Sequence, residues 1–273
     1  MLTESEFNYV AREVKARSGA LLSRDMCGPA ANRLAPLARR EGFATVSEFL
    51  AAARVKQDAK LWGVIADALV QTETRFFRDK PLFERLRSDI LPDMFARRSN
   101  KPLRIWSAGC GTGQEAYSLA MMIEDLRAEG LPGAEIVATD MSERLLDKAR
   151  AGLYTQFEVQ RGLPIRKLIS HFEKLGDLWR IADRLRSGVR FEQHNLMQDA
   201  TALGEFDIVL CRHVLSCFDA HTRAATLERI AAVMAPDGVL LLGAGEGADM
   251  SDTFMASPQT GVFLRNAAAR RAA

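Results

Sequence analysis

Cysteine is scarce and patternless in this chain: Cys27, Cys110, Cys211 and Cys217 stand without C-x-x-C spacing, with a histidine close only to Cys211. Such a set reads as small apolar residues in a reducing compartment, which excludes a disulfide scaffold and a zinc site. No metal is expected. No apolar run reaches membrane-spanning length, and the start Met1-Leu2-Thr3-Glu4-Ser5-Glu6 lacks the basic and apolar regions of a secretory signal. The cytoplasm is therefore the expected location, without membrane insertion. There is no internal repeat, no low-complexity segment and no large excess of one charge, the formal net charge being +2. So weak a balance gives no sign of a nucleic-acid partner, and none is expected. What is present is ordinary for one large or two small globular domains, with 48% hydrophobic and 26% charged residues among 273. Charge is unevenly placed, since Arg12 to Arg40 holds seven basic residues and two acidic ones.

The first chemical signal lies between Leu103 and Gly113. Leu103, Ile105 and Trp106 form an apolar run that leads into Gly109, Gly111 and Gly113, and Glu115 to Ile123 then reads as a helix with an apolar stripe. Strand, glycine turn and helix start suit a nucleotide-type cofactor, because glycine permits positive φ and removes the Cβ that keeps a ligand from the main chain. A tight βα turn with no ligand is the plain alternative. A second apolar strand, Ala134 to Thr139, ends in Asp140. An acid there can accept hydrogen bonds from both ribose hydroxyls of an adenosine cofactor. Asp140 lies about thirty residues beyond the glycines, against roughly twenty in a dinucleotide fingerprint. That distance, and the lack of an acid/base pair suited to hydride transfer, make a nicotinamide dehydrogenase a distant reading.

Residues 3 to about 75 read as a small all-helical unit. Thr3 and Glu6 form a capping-box pattern, and Phe7, Val10, Val14 and Leu21 follow at roughly helical intervals. Ser18-Gly19 ends that helix, and Cys27-Gly28-Pro29 punctuates the next connection. Asn32 to Arg40, Ser47 to Ala53 and Leu61 to Val70 continue the helical pattern. The span Gln71 to Asp79 then brings Thr72, Thr74, Phe76, Phe77, Arg75 and Arg78 close together. The threonines could cap the next helix with the aromatics packed beneath it; equally, hydroxyls and a guanidinium could hold a carboxylate. Pro81 to Ala96 makes a further helix. From residue 103 to 243 strands and helices alternate, the pattern of a parallel sheet with helices on both faces. Gly152 to Gly188 is polar and mixed, with Trp179 and Ile181 in a short strand, and reads as an insertion. Phe206 to Arg212 is a buried strand, and Gly261 to Arg265 adds an edge strand.

Several of these stretches fall into one order. Thr72-Glu73-Thr74-Arg75-Phe76-Phe77-Arg78-Asp79 resembles the T-x-F-F-R signature of the chemotaxis receptor methyltransferases, the CheR family. Ile105 to Ser118 resembles that family's glycine loop, and Ala138-Thr139-Asp140 with Leu146 to Tyr154 its second strand and helix. Phe206 to Arg212 is similar to the strand before its R-N-V-x-I-Y-F-D motif. The match covers almost the whole chain.

The resemblance implies an α/β protein. A helical N-terminal receptor-interaction domain, residues 1–75, would precede a doubly wound, Rossmann-like class I methyltransferase domain, 76–273, with an inserted β-subdomain at about 155–190. It implies transfer of a methyl group from S-adenosylmethionine to glutamate side chains in the cytoplasmic helices of chemoreceptors, with S-adenosylhomocysteine as product. By resemblance Arg78 is the catalytic residue. Thr72, Thr74 and Arg78 meet the methionine end of the cofactor, Gly109, Gly111 and Glu115 bind it, and Asp140 takes its ribose. Asn195 and Leu196 lie by the adenine, with Arg212 and His213 nearby. A monomer is expected. Because methylation sites lie on acidic helices, Arg12, Lys15, Arg17, Arg24, Arg33, Arg39 and Arg40 would face the receptor. The segment His171 to Gly188 is short for an insertion that grips a tethering peptide.

The motif after the fourth strand departs from the pattern, reading Arg212-His213-Val214-Leu215-Ser216-Cys217-Phe218-Asp219. His213 replaces the usual asparagine and Cys217 the usual tyrosine. Thr72 stands where several members carry asparagine, and Gly243-Ala244-Gly245-Glu246 stands for a G-H-S-E. Two rivals follow: a methyltransferase of this fold with another acceptor, and a regulator that binds cofactor or receptor without turnover.

Overall fold

The structure, a computed structural model, describes residues 2–56, 58–70, 73–247 and 252–266. The chain divides into two compact units, Met1–Thr72 with Cys217–Thr222, and Glu73–Ser216 with Arg223–Ala273.

The first unit is built on four helices, α1 (Glu4–Ser18), α2 (Cys27–Arg40), α3 (Val46–Lys56) and α4 (Ala59–Leu69). The capping box is formed: Thr3 Oγ1 accepts the Glu6 N–H, and the Glu6 carboxylate accepts the Thr3 N–H at 2.7 Å. Gly19, at φ +76°, ends α1 in the left-handed conformation that glycine reaches without a Cβ penalty. Cys27-Gly28-Pro29 does not separate helices; it is the first turn of α2. A proline fits there because the N–H it lacks would have no helical partner in any case. Val10 and Val14 of α1 and Trp62, Ile65 and Leu69 of α4 are fully buried, as are Leu34 and Phe49. The Trp62 indole N–H donates to the Ala53 carbonyl at 3.2 Å, and Arg17 lies over its ring. The segment Cys217–Thr222 is tied to this unit by the Leu21 N–H on the Cys217 carbonyl, 2.8 Å, and by Lys15 on Asp219.

The second unit begins with a helical stretch in three parts: α5 (Lys80–Arg85), a π-helical turn at Leu86–Ile90, and α6 (Leu91–Arg97). Pro92 offers no N–H to the carbonyl four residues earlier, and the wider turn accommodates its ring. There follow β1 (Leu103–Ala108), α7 (Gln114–Ala128), β2 (Ala134–Asp140), α8 (Glu143–Ala151), β3 (Leu153–Thr155), α9 (Gln156–Gln160) and α10 (Ile165–His171). Then come β4 (Phe172–Leu175), β5 (Leu178–Ile181), α11 (Asp183–Arg186), β6 (Val189–Gln193), β7 (Phe206–Cys211), α12 (Ala220–Ala232), β8 (Met234–Leu242), β9 (Phe254–Ala256) and β10 (Val262–Arg265).

Seven strands form one sheet in the order β6-β2-β1-β7-β8-β10-β9, the first five parallel and the last two antiparallel. The chain runs outward from β1 through β2 to β6, then returns to β7 on the other side of β1. This is the doubly wound arrangement, with its switch point between β1 and β7. The strand at Val262–Arg265 is not an edge strand. It pairs with β8 on one side and β9 on the other, and β9 forms the edge.

The insertion is a second sheet, β3-β5-β4, antiparallel throughout. Tyr154 of β3 fastens it to the core: its hydroxyl donates to the Thr112 carbonyl at 2.8 Å, and its ring packs edge-on to Phe76. Phe76, Tyr117, Tyr154 and Phe172 belong to the same buried cluster as Ile105, Ile136, Ile208 and Leu241 of the large sheet. No helix among the described residues is long and apolar enough to cross a membrane.

Candidate active site

The carboxyl ends of β1 and β7 meet at the switch point, where open α/β sheets leave a crevice for ligands. Gly109, with φ +74°, follows β1. A Cβ there would lie 2.6 Å from Val214 Cγ2, so only glycine lets the two loops approach so closely. Gly111 leaves space for the Thr74 methyl, 3.3 Å from where its own Cβ would stand. Thr74, Arg78, Gly109, Glu115, Arg212 and His213, all singled out in the sequence, line one pocket together with Glu73, Arg75 and Cys110.

Arg212 is the centre of its charge pattern. The side chain is 1% exposed, and its guanidinium reaches Glu115 at 2.7 Å and Asp79 at 2.8 Å. The nitrogen on Asp79 also donates to the Arg78 carbonyl at 2.5 Å. Phe83 packs under the guanidinium, 5.3 Å from ring centre to Cζ. Two carboxylates set against a buried cation compensate its desolvation. Glu115 is held in turn by the Ser107 hydroxyl at 2.8 Å.

Asp79 carries more contacts than its neighbours in the sequence suggest. Its Oδ2 accepts from Arg212, from His213 Nε2 at 2.8 Å and from the Ala244 N–H at 3.2 Å. Burial pushes the Asp79 carboxyl up, but the His213 hydrogen bond, the Ala244 N–H and Arg212 outweigh it and hold it at about 2. Asp79 and Phe77 both sit at positive φ, +59° and +48°, as does His213 at +59°. Such conformations in non-glycine residues cost of order 1–3 kcal/mol and persist where surrounding contacts enforce them. The Phe77 N–H on Ser118 Oγ, 3.0 Å, is one such contact. Arg78 lies between these two residues. Its Nη1 donates to the Glu73 carbonyl at 2.6 Å, while its buried Nε has no hydrogen-bond partner among the described residues.

Asp140 ends β2 and is buried. One of its oxygens accepts the Gly111 N–H at 2.9 Å and the other the Ser142 N–H at 3.0 Å. Asn195 and Leu196 follow β6, next to His194, whose N–H donates to the Asp140 carbonyl at 3.0 Å. Asn195 Oδ1 accepts the Met197 N–H, and Leu196 is buried. They stand beside Asp140 and do not line the Arg78 pocket. Thr72 falls outside the described residues. Thr74 does not cap the next helix; Asp79 occupies the cap position of α5, and its side chain makes no capping bond to the first turn.

Two further residues had no role from sequence. Asp79 is one, although it directly follows Arg78. Glu246 is the other: its carboxylate accepts the N–H groups of His213, Gly243 and Ser216 at 2.6–2.9 Å, pinning the loops after β7 and β8. Among the described residues no cluster of histidine, cysteine, aspartate or glutamate could hold a metal ion.

A glycine loop at the switch point, an acid closing the second strand and a ring of arginines and carboxylates define a nucleoside-cofactor α/β enzyme. Residues 72–263 match the family described as CheR methyltransferase, SAM binding domain, and the chain belongs to that family. It is therefore an S-adenosylmethionine-dependent methyltransferase. Its relatives include chemotaxis protein methyltransferase Cher2 of Pseudomonas putida, 34% identical over 84% of this chain and 85% of that protein. Chemotaxis protein methyltransferase 1 of Vibrio cholerae serotype O1 is 34% identical over 90% of each. Chemotaxis protein methyltransferase 1 of Pseudomonas aeruginosa is 36% identical over 79% of this chain and 80% of that protein.

Proposed function

We propose that this chain esterifies glutamate side chains on the cytoplasmic helices of chemoreceptors, giving glutamyl methyl esters for sensory adaptation. The observation that carries this reading is the convergence of Thr74, Arg78, Glu115, Arg212 and His213 at the β1/β7 switch point of a CheR-family chain. When bound, S-adenosylmethionine supplies a methyl already activated by its sulfonium and leaves as S-adenosylhomocysteine. The acceptor carboxylate is ionised near neutral pH, so no general base is required. The protein's work is to align the acceptor oxygen with the methyl and to exclude water.

In this reading Arg78, with Thr72 and Thr74, positions the methionine end and the reaction centre. The unpartnered buried Nε of Arg78 supports this, because such a donor is costly until a ligand accepts from it. Gly109 and Gly111 let the backbone approach the cofactor. Glu115 and Asp140 bind it, Asp140 through its ribose, and Asn195 and Leu196 flank the adenine. Arg212 and His213 hold the carboxylates in place. The helical unit binds the receptor, and the enzyme works in the cytoplasm as a monomer.

One observation favours a second reading, transfer to another acceptor. Cys217 stands at the family's tyrosine position, and its carbonyl is held by the Leu21 N–H. Incubating the protein with radiolabelled S-adenosylmethionine and receptor-rich membranes decides between them. Base-labile label on a receptor supports the first reading, and label elsewhere the second. Tight cofactor binding without label would overturn both.

A further inference from the structure

A glutamate of the chain itself lines the pocket. Glu73 lines it beside Arg75 and Arg78, and its carboxylate is paired with Arg161 of the insertion. Arg78 holds the same residue by its carbonyl. Two arginines thus grip Glu73, one through the backbone and one through the side chain.

Arg161 is delivered there by a close contact. Gly162 follows it at φ +93°, and a Cβ on Gly162 would lie 2.2 Å from the Phe76 carbonyl oxygen. The end of α9 therefore lies directly against the 73–79 segment, an approach open only to glycine. The Arg161 guanidinium rests on the Phe157 ring, 5.3 Å from its centre, and that ring is 65% exposed. Arg161 therefore meets the pocket-lining Glu73 from a supported position. Hydrogen bonding from Arg161, then its charge and those of Arg78 and Arg75, hold the Glu73 carboxyl below the ordinary range despite some burial.

A glutamate carboxylate held by Arg161, in a pocket that Arg75 and Arg78 also line, has the chemistry of the acceptor of a glutamate-modifying family. We infer that Arg161, with Arg75 of the pocket lining, is the subsite that receives the acceptor glutamate, and that Glu73 occupies it as an internal competitor. The inference rests on the function proposed above. An arriving carboxylate exchanges places with Glu73 at Arg161, and the charge of the subsite stays balanced throughout. Phe157 adds an exposed apolar face for the aliphatic side of the acceptor helix.

Steady-state methyl transfer by the full chain to a receptor cytoplasmic fragment, with separate calorimetry of S-adenosylmethionine binding, tests this. Glu73→Gln should lower KM for the fragment by about two- to five-fold, the range for releasing a half-exposed ion pair. Arg161→Ala should raise it by about ten-fold, and Arg161→Lys should recover part of the loss. In the Arg161→Ala background Glu73→Gln should do nothing, because its effect passes through that arginine. Each KM change should exceed any change in cofactor affinity. A Glu73→Gln variant with unmoved or higher KM, or equal effects in both Arg161 backgrounds, overturns the inference while ester formation by the wild type leaves the function standing. A wild type that forms no ester overturns the function and the inference with it.

Discussion

The carboxylate of Asp140 accepts the N–H of Gly111 at 2.9 Å, joining the tip of β2 to the glycine loop after β1. Its other oxygen takes the Ser142 N–H at the start of α8, so one buried side chain sets two loops of the proposed cofactor site. Asp140→Ala should therefore do two things. Loss of a charge-assisted bond to the ribose should weaken S-adenosylmethionine binding by about 1.5–3 kcal/mol. Leaving a buried N–H unmatched should cost about 1–3 kcal/mol of folding stability. Calorimetry and urea unfolding of the same variant separate the effects, and unchanged affinity in a folded variant would refute the ribose assignment.

Local signals were legible in the sequence and long-range ones were not. Alternate glycines after an apolar run, an acid at a strand tip and a capping box each act within a few residues. The role of Asp79 depends on Arg212, His213 and Ala244, which lie 133, 134 and 165 residues away. The pairing of Glu73 with Arg161 spans 88 residues. Nothing in the period of a pattern reports such meetings. The edge of the large sheet is illegible in the sequence for a related reason. A three-residue strand at Phe254–Ala256 is too short to show alternation, so the next strand reads as the last. Thr74, Arg78 and Arg212 became site residues through the family resemblance, since an arginine near an aromatic pair has many structural uses.

Acid should reveal the Asp79 network. The folded Asp79 carboxyl sits at about 2 against an ordinary 3.8. A depressed carboxyl adds stability above its unfolded pKa, and that stability is lost as pH falls through the folded value. Asp79→Asn should therefore be less stable than the wild type at pH 7 by about 2 kcal/mol. The gap should close between pH 4 and pH 2. Urea titrations across that window would speak against the network if the gap stayed constant.

Arg78→Ala should affect chemistry more than binding. A group that aligns reactants is felt most in the transition state, so kcat should fall by about ten- to a hundred-fold, about 1.4–2.7 kcal/mol. Cofactor affinity should fall by less. A loss of cofactor affinity with kcat unchanged would assign Arg78 to uniform cofactor binding, and undisturbed affinity and turnover would leave it a packing residue.

Docking should depend on a subset of the basic helical residues. Lys15 is paired with Asp219 and Arg17 with Glu13, Arg33 donates to the Leu69 carbonyl, and Arg40 lies against Glu41. Arg24 and Arg39 are exposed, with no ion pair among the described residues. They are the charges most available to an acidic receptor helix. Reversing both, as Arg24→Glu with Arg39→Glu, should weaken receptor capture several-fold at low ionic strength. The difference should shrink as salt rises, because the Debye length is only about 8 Å at physiological ionic strength. A receptor lacking its C-terminal tail should still be captured by the wild-type protein. Capture that survives the charge reversal but vanishes with the tail would place the docking determinant on the tail and not on these helices.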